Sequence, residues 1–146
     1  MKYGTGLLLL IGVAACGDAV GPETPLDLRI EAFPRTVAVG DSVTFIAFAY
    51  NPTHETIDLD SGCGSSLDIT VETPDGNRIS VYEEMLAGGV PTCQHSWYHE
   101  ADPGELIELE FSWEAPSKLG KYKAATITRC REDSCPASRA IAITVR

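Results

Sequence analysis

The sequence predicts an all-β domain, an immunoglobulin-like sandwich of two antiparallel sheets. From Leu26 onward the apolar residues recur in short alternating runs and show no sustained helical period. Clusters of Gly, Pro, Asp and Asn separate those runs, as turns between strands require. About eight such runs fit two packed sheets better than a closed barrel.

Leu26 to Phe33 reads as the first strand, stopped by Pro34, which has no backbone donor for a ladder. Gly40-Asp41-Ser42 leads into Val43 to Tyr50, apolar on both faces and so expected at the centre of a sheet. Asn51-Pro52-Thr53 breaks that strand. Thr56 to Asp60 then alternates, Ile57 and Leu59 on one face and Asp58 and Asp60 on the other. Leu67, Ile69 and Val71 alternate with Asp68, Thr70 and Glu72, which places the polar set towards water.

Pro74-Asp75-Gly76-Asn77 is a turn with a mechanism, because proline presets φ and Gly76 accepts a positive φ; Ile79 and Val81 resume the strand beyond it. Residues 83 to 103, with Gly88-Gly89, Pro91, Cys93 and Pro103, read as a long excursion with a short strand near Ser96 to His99. Glu105 to Trp113 points Ile107, Leu109, Phe111 and Trp113 inward and Glu108 and Glu110 to water. Gly120 precedes a strand from Tyr122 to Cys130, and a last strand turns Ile141, Ile143 and Val145 inward.

The N-terminus combines Lys2, a short apolar run from Leu7 to Ala15, and Val13-Ala14-Ala15-Cys16. The run is shorter than the roughly 20 residues a membrane-spanning helix needs. The arrangement resembles a bacterial lipoprotein signal, which implies cleavage after Ala15, acylation of Cys16 and anchoring in the bacterial cell envelope, inner or outer membrane unspecified. Residues 1–15 are then the signal peptide, 16–25 the lipidated cysteine with a Gly- and Pro-rich tether, and 26–146 the sandwich. The 131 residues from Cys16 onward suffice for one domain with one core.

Charge narrows the partners. The chain carries 21 Asp and Glu against 11 Lys and Arg, a formal charge of −10 that becomes −11 without residues 1–15. Such a chain repels nucleic acid and anionic lipid surfaces, so no nucleic-acid partner is expected.

With Cys16 assigned to the lipid, Cys63, Cys93, Cys130 and Cys135 form an even set in an exported protein, which predicts two disulfides. Four cysteines allow three pairings. The short loop from Cys130 to Cys135 costs little entropy to close and favours Cys130 with Cys135 and Cys63 with Cys93. Structural zinc would need paired short spacings that the four cysteines lack.

Asn51 after an alternating strand, Ser61-Gly62 before Leu67-Asp68-Ile69-Thr70-Val71, and Asp75-Gly76-Asn77-Arg78-Ile79 resemble the intracellular proteinase inhibitor domain of the BsuPI type. Asp102-Pro103-Gly104-Glu105, Phe111-Ser112-Trp113 and Gly120-Lys121-Tyr122-Lys123 extend the likeness, which covers roughly residues 41 to 130. The resemblance implies the fold and, as a second expectation, inhibition of a proteinase. The segment from Met85 to Cys93 is the candidate inhibitory loop.

Candidate chemistry is sparse. His95 and His99 would share a strand face but stand roughly 13 Å apart, too far for one metal. Asp58, Asp60 and Asp68 lack the ligand spacing of a calcium loop. Ser65 and Ser66 sit in no nucleophile elbow, and no glycine-rich loop opens a helix. No catalytic residue, metal or cofactor is therefore expected. Tyr82, His95, Trp97, Tyr98 and His99 gather aromatic and imidazole groups in or beside the long excursion and are the candidate partner-binding residues. The expected function is a non-enzymatic, lipid-anchored envelope module that binds a protein or another envelope component.

Overall fold

A computed structural model describes residues 25–59, 65–87, 100–128 and 136–146, which form the sandwich. The signal peptide, Cys16, all four remaining cysteines and the stretch from Ser96 to His99 lie outside the described residues.

The first sheet holds β1 (Asp27–Phe33), β3 (Ser42–Tyr50) and β8 (Leu106–Glu114) in the order β1-β3-β8. The second holds β2 (Thr36–Val37), β10 (Ile141–Val145), β9 (Gly120–Thr128), β5 (Leu67–Glu72) and β6 (Arg78–Ser80) in the order β2-β10-β9-β5-β6. A two-stranded ladder joins β4 (Ile57–Asp58) to β7 (Glu100–Ala101). The fold is the expected all-β immunoglobulin-like sandwich, with one departure from antiparallel pairing: β2 runs parallel to β10.

Period-two patterning explains the layers. β8 alternates exposed and buried along its whole length, burying Ile107, Leu109, Phe111 and Trp113. On β3 the buried set is Val43, Phe45, Ala47 and Ala49, paired with β8 from Ser42↔Glu114 to Tyr50↔Leu106. Between the sheets the Trp113 ring lies 6.0 Å from Phe45 and 5.5 Å, edge-on, from Tyr122. The Tyr122 hydroxyl donates to the Lys118 carbonyl at 2.7 Å, which satisfies the only polar atom of a fully buried ring and pins the entry to β9, as the tyrosine corner of immunoglobulin-like domains does. Thr126 of β9 ties the sheets together, its hydroxyl donating to the Arg29 carbonyl on β1 at 2.7 Å. Every residue of the buried cluster lies between Leu26 and Val145, so a chain that starts at Gly17 keeps the whole of it.

The turn at residues 73–77 is as expected. Gly76 N–H donates to the Thr73 carbonyl at 2.9 Å with Pro74 inside the turn and Gly76 at φ 83°. Gly120 is fixed by proximity, because a Cβ there would meet Pro74 Cγ at 2.7 Å.

Two local expectations need correction. Val81 does not continue β6 but opens helix α1 (Val81–Ala87). Ser80 caps that helix, its hydroxyl accepting from Glu83 N–H at 2.9 Å, and Glu83 and Glu84 sit in the first turn where the helix dipole favours acids. Asp68 is buried rather than solvated, because α1 packs against β5 and Ser80 Oγ and Tyr82 N–H donate to the carboxylate. The parallel two-residue β2 carries no periodicity that a sequence pattern could register.

Candidate functional site

The outward side of the first sheet carries apolar side chains along its central strand. Because directly paired residues share a face, the register arranges the outward side chains in rows: Phe33–Thr44–Ser112, Glu31–Ile46–Glu110, Arg29–Phe48–Glu108 and Asp27–Tyr50–Leu106. Ile46, Phe48 and Tyr50 make an apolar stripe along the central strand, about 13 Å long at roughly 3.3 Å per residue. Carboxylates stand on both sides of it, Glu31 and Asp27 on β1 and Glu108 and Glu110 on β8, with Glu114 beyond its Ile46 end opposite Ser42. Arg29 is the single base of the face and is already paired with Asp27 at 2.5 Å, which holds its guanidinium charged. At the Tyr50 end the stripe opens into a shallow hollow of about 470 Å³ lined by Arg29, Glu31, Phe48, Tyr50 and Leu106. Leu106 is 57% exposed and Tyr50 37%, which leaves their apolar surface available for contact.

The loop beside that hollow is rigidly built. Asn51 is fully buried and uses every hydrogen-bonding position of its amide. Its Nδ2 donates to the carbonyls of Glu55 and Ala101, each at 2.8 Å, and its Oδ1 accepts from Thr53 N–H at 2.9 Å and Thr53 Oγ1 at 2.7 Å. The Asn51 backbone N–H donates to the Glu105 carbonyl at 3.0 Å, fixing the chain between Tyr50 and Leu106. Asn51 is thus an architectural residue, and the segment from Asn51 to Glu55 is held to the turn before β8.

Asp68 is architectural too. Its carboxylate accepts from Ile69 N–H at 2.6 Å, Ser80 Oγ at 2.5 Å and Tyr82 N–H at 3.1 Å, so it binds β5 to the start of α1. Ser65 Oγ accepts from Leu67 N–H at 3.3 Å. Among the described residues no group of three or more His, Cys, Asp or Glu could hold a metal ion. Glu84 on α1 has its carboxyl pushed above the ordinary carboxylate range, because partial desolvation disfavours the charged form, while a hydrogen bond from Trp113 pulls the other way.

Of the candidate partner-binding residues, Tyr82 is partly buried and packs against the core from α1. His95, Trp97, Tyr98 and His99 lie outside the described residues, as do Cys16, Cys63, Cys93, Cys130 and Cys135. The candidate inhibitory loop is corrected at its start: Met85, Leu86 and Ala87 are the last turn of α1, and Met85 packs against the core. An extended, projecting segment cannot begin there; residues 88–93 are outside the described residues. Sequence reasoning passed over the outward face of the first sheet, although the signal was present in the apolar positions Ile46, Phe48 and Tyr50 on a strand whose other face is also apolar.

No protein-family model matches the chain, and no curated protein matches it in sequence. Several solved structures are similar in fold. The Pseudomonas fluorescens alkylpurine DNA glycosylase AlkC, solved with DNA containing an abasic site analogue, superposes with a TM-score of 0.57 at 6% identity, over 86% of this chain and 31% of that one. The Bacillus subtilis sporulation control protein Spo0M gives 0.52 at 12% identity, over 84% and 50%. The C-terminal domain of wzt gives 0.51 at 13% identity, over 86% and 75%. The chain therefore spans about a third of the glycosylase and half of Spo0M. At such identities the likeness is one of fold alone.

Proposed function

We propose that this chain is a non-enzymatic module of the bacterial cell envelope, anchored by lipid on Cys16, that binds a partner protein through the outward face of β1, β3 and β8. The apolar stripe Ile46–Phe48–Tyr50 with exposed Leu106 carries the reading, since a contiguous apolar patch rimmed by polar groups is the ordinary mark of a contact surface. The buried polar groups Asn51, Asp68 and Thr126 support it from the other side, because their hydrogen bonds run inside the domain and hold it rigid. Leu26 lies ten residues along the chain from Cys16, so the tether reaches at most about 35 Å and keeps the face close to the membrane.

In-cell photo-cross-linking of the full chain tests the proposal. A photoreactive residue at position 46 or 106 should give a discrete adduct, one at position 78 on the opposite sheet should not, and Cys16→Ser should move the chain out of the membrane fraction. Equal adducts from both faces, or none from the first, would count against the face. A Cys16→Ser chain that stays with the membrane would count against the anchor.

A further inference from the structure

The arrangement of charge on this face narrows the partner further, on the premise that the face is the contact surface. Among its outward residues stand five carboxylates, Asp27, Glu31, Glu108, Glu110 and Glu114, and one guanidinium that is already paired. The acids are not scattered. Glu31 stands on β1 without an ion pair, since Asp27 is bonded to Arg29, and Glu108 and Glu110 stand on β8 opposite Phe48 and Ile46; the two flanks are about 10 Å apart, twice the spacing between neighbouring strands, with the apolar stripe of β3 between them.

An extended strand laid along the stripe turns only one row of side chains towards the sheet, so it could cover the apolar centre or reach the acids, not both. An α-helix is about 10 Å across and presents an apolar stripe with both flanks at once. A second copy of the chain would set carboxylates against carboxylates, and an anionic lipid surface would be repelled for the same reason. We infer that the face receives an amphipathic helix of a partner protein, apolar along its centre and bordered on both sides by Lys or Arg, whose cations meet Glu31 on one flank and Glu108 and Glu110 on the other.

The probe is a synthetic peptide of about 18 residues, blocked at both ends, with Leu at helical spacing and Lys on the flanks. Calorimetric titration uses the chain from Gly17 to Arg146, which retains the entire buried cluster. Two controls accompany it: the same composition with Leu and Lys strictly alternating, and the helical pattern with Glu for Lys. The helical Lys peptide should bind at least tenfold tighter than the alternating one, with affinity falling as salt rises, and the Glu peptide should not bind. Phe48→Ser should weaken binding at least tenfold, and Glu31→Gln with Glu110→Gln about fivefold, while Arg78→Ala on the opposite sheet leaves it unchanged. The Glu31 and Glu110 variant replaces exposed groups and keeps the test valid if Phe48→Ser fails to fold.

Equal affinity for the helical and alternating peptides, or binding indifferent to Phe48, Glu31 and Glu110, overturns the inference. So does concentration-dependent dimerisation abolished by Phe48→Ser, which would make a second copy the occupant. Should the peptide fail while position 46 still cross-links in cells, the cationic helix is wrong and the module reading stands; should both fail, both are wrong.

Discussion

The two outward faces of the sandwich differ in how they handle charge. On the five-stranded sheet, opposite charges meet within the face: Lys123 Nζ reaches Glu72 Oε1 at 3.1 Å across β9 and β5, and Lys118 pairs with Asp75 nearby. Small and polar residues such as Thr70, Ala125 and Ser138 line the hollow there. On the three-stranded sheet Asp27 is neutralised by Arg29, but Glu31, Glu108 and Glu110 stand without an ion pair around an apolar stripe. One face is finished in isolation, whereas the other leaves both its apolar area and its charge unanswered. A surface of the second kind gains from a partner on both counts, through burial at roughly 25 cal/mol per Å² and through relief of like-charge repulsion.

The contrast between a covered and an open face can be measured within β3 itself, which carries Phe45 on its buried side and Phe48 on its open one. Phe45→Ala on the buried side should cost about 3 to 5 kcal/mol in urea unfolding, as large core truncations do. Phe48→Ala on the open side should cost about 1 kcal/mol, since only part of that ring leaves water. Equal losses would mean that the outward face is core and that something covers it. Next in size is Asn51→Ala, which strands the carbonyls of Glu55 and Ala101; a loss of about 2 to 3 kcal/mol is expected. That loss should come with faster amide exchange at Gly104, whose N–H donates to the Asn51 carbonyl at the edge of the hollow.

Much of this was readable from the sequence, for a definite reason. β8 and β5 have clean alternation, the turn at Pro74–Gly76 has a stereochemical signature, and both appear where expected. The errors share one cause, in that alternation reports which residues differ and not what covers them. Asp68 alternates like a solvated residue, yet α1 packs against its strand. The two apolar faces of β3 correctly place it at the centre of its sheet, but no described element covers the outer one. Helix α1 did leave a sequence signal, since Ser80-Val81-Tyr82-Glu83 has the spacing of a capping box, but seven residues are too few to display a period against a strand-like background.

Smaller effects sharpen the contrast between the faces. Lys123→Ala should change stability by less than about 0.5 kcal/mol, because exposed ion pairs are weak and screened. Glu84 should leave a pH signature. Its carboxyl titrates above the ordinary range in the folded chain, so folding favours the protonated form. The stability it contributes is full below the unfolded value and is lost as pH rises through the folded one. Glu84→Gln should therefore flatten the stability curve across that acidic window. A steeper curve in the variant would reverse the assignment.

Backbone amide shift mapping with the helical Leu/Lys peptide tests the central claim most directly. Perturbations are expected along 29–33, 44–50 and 106–110, with residues 70–72 and 121–127 of the opposite sheet unmoved. Shifts spread evenly over both sheets, or concentrated on 121–127, would contradict it.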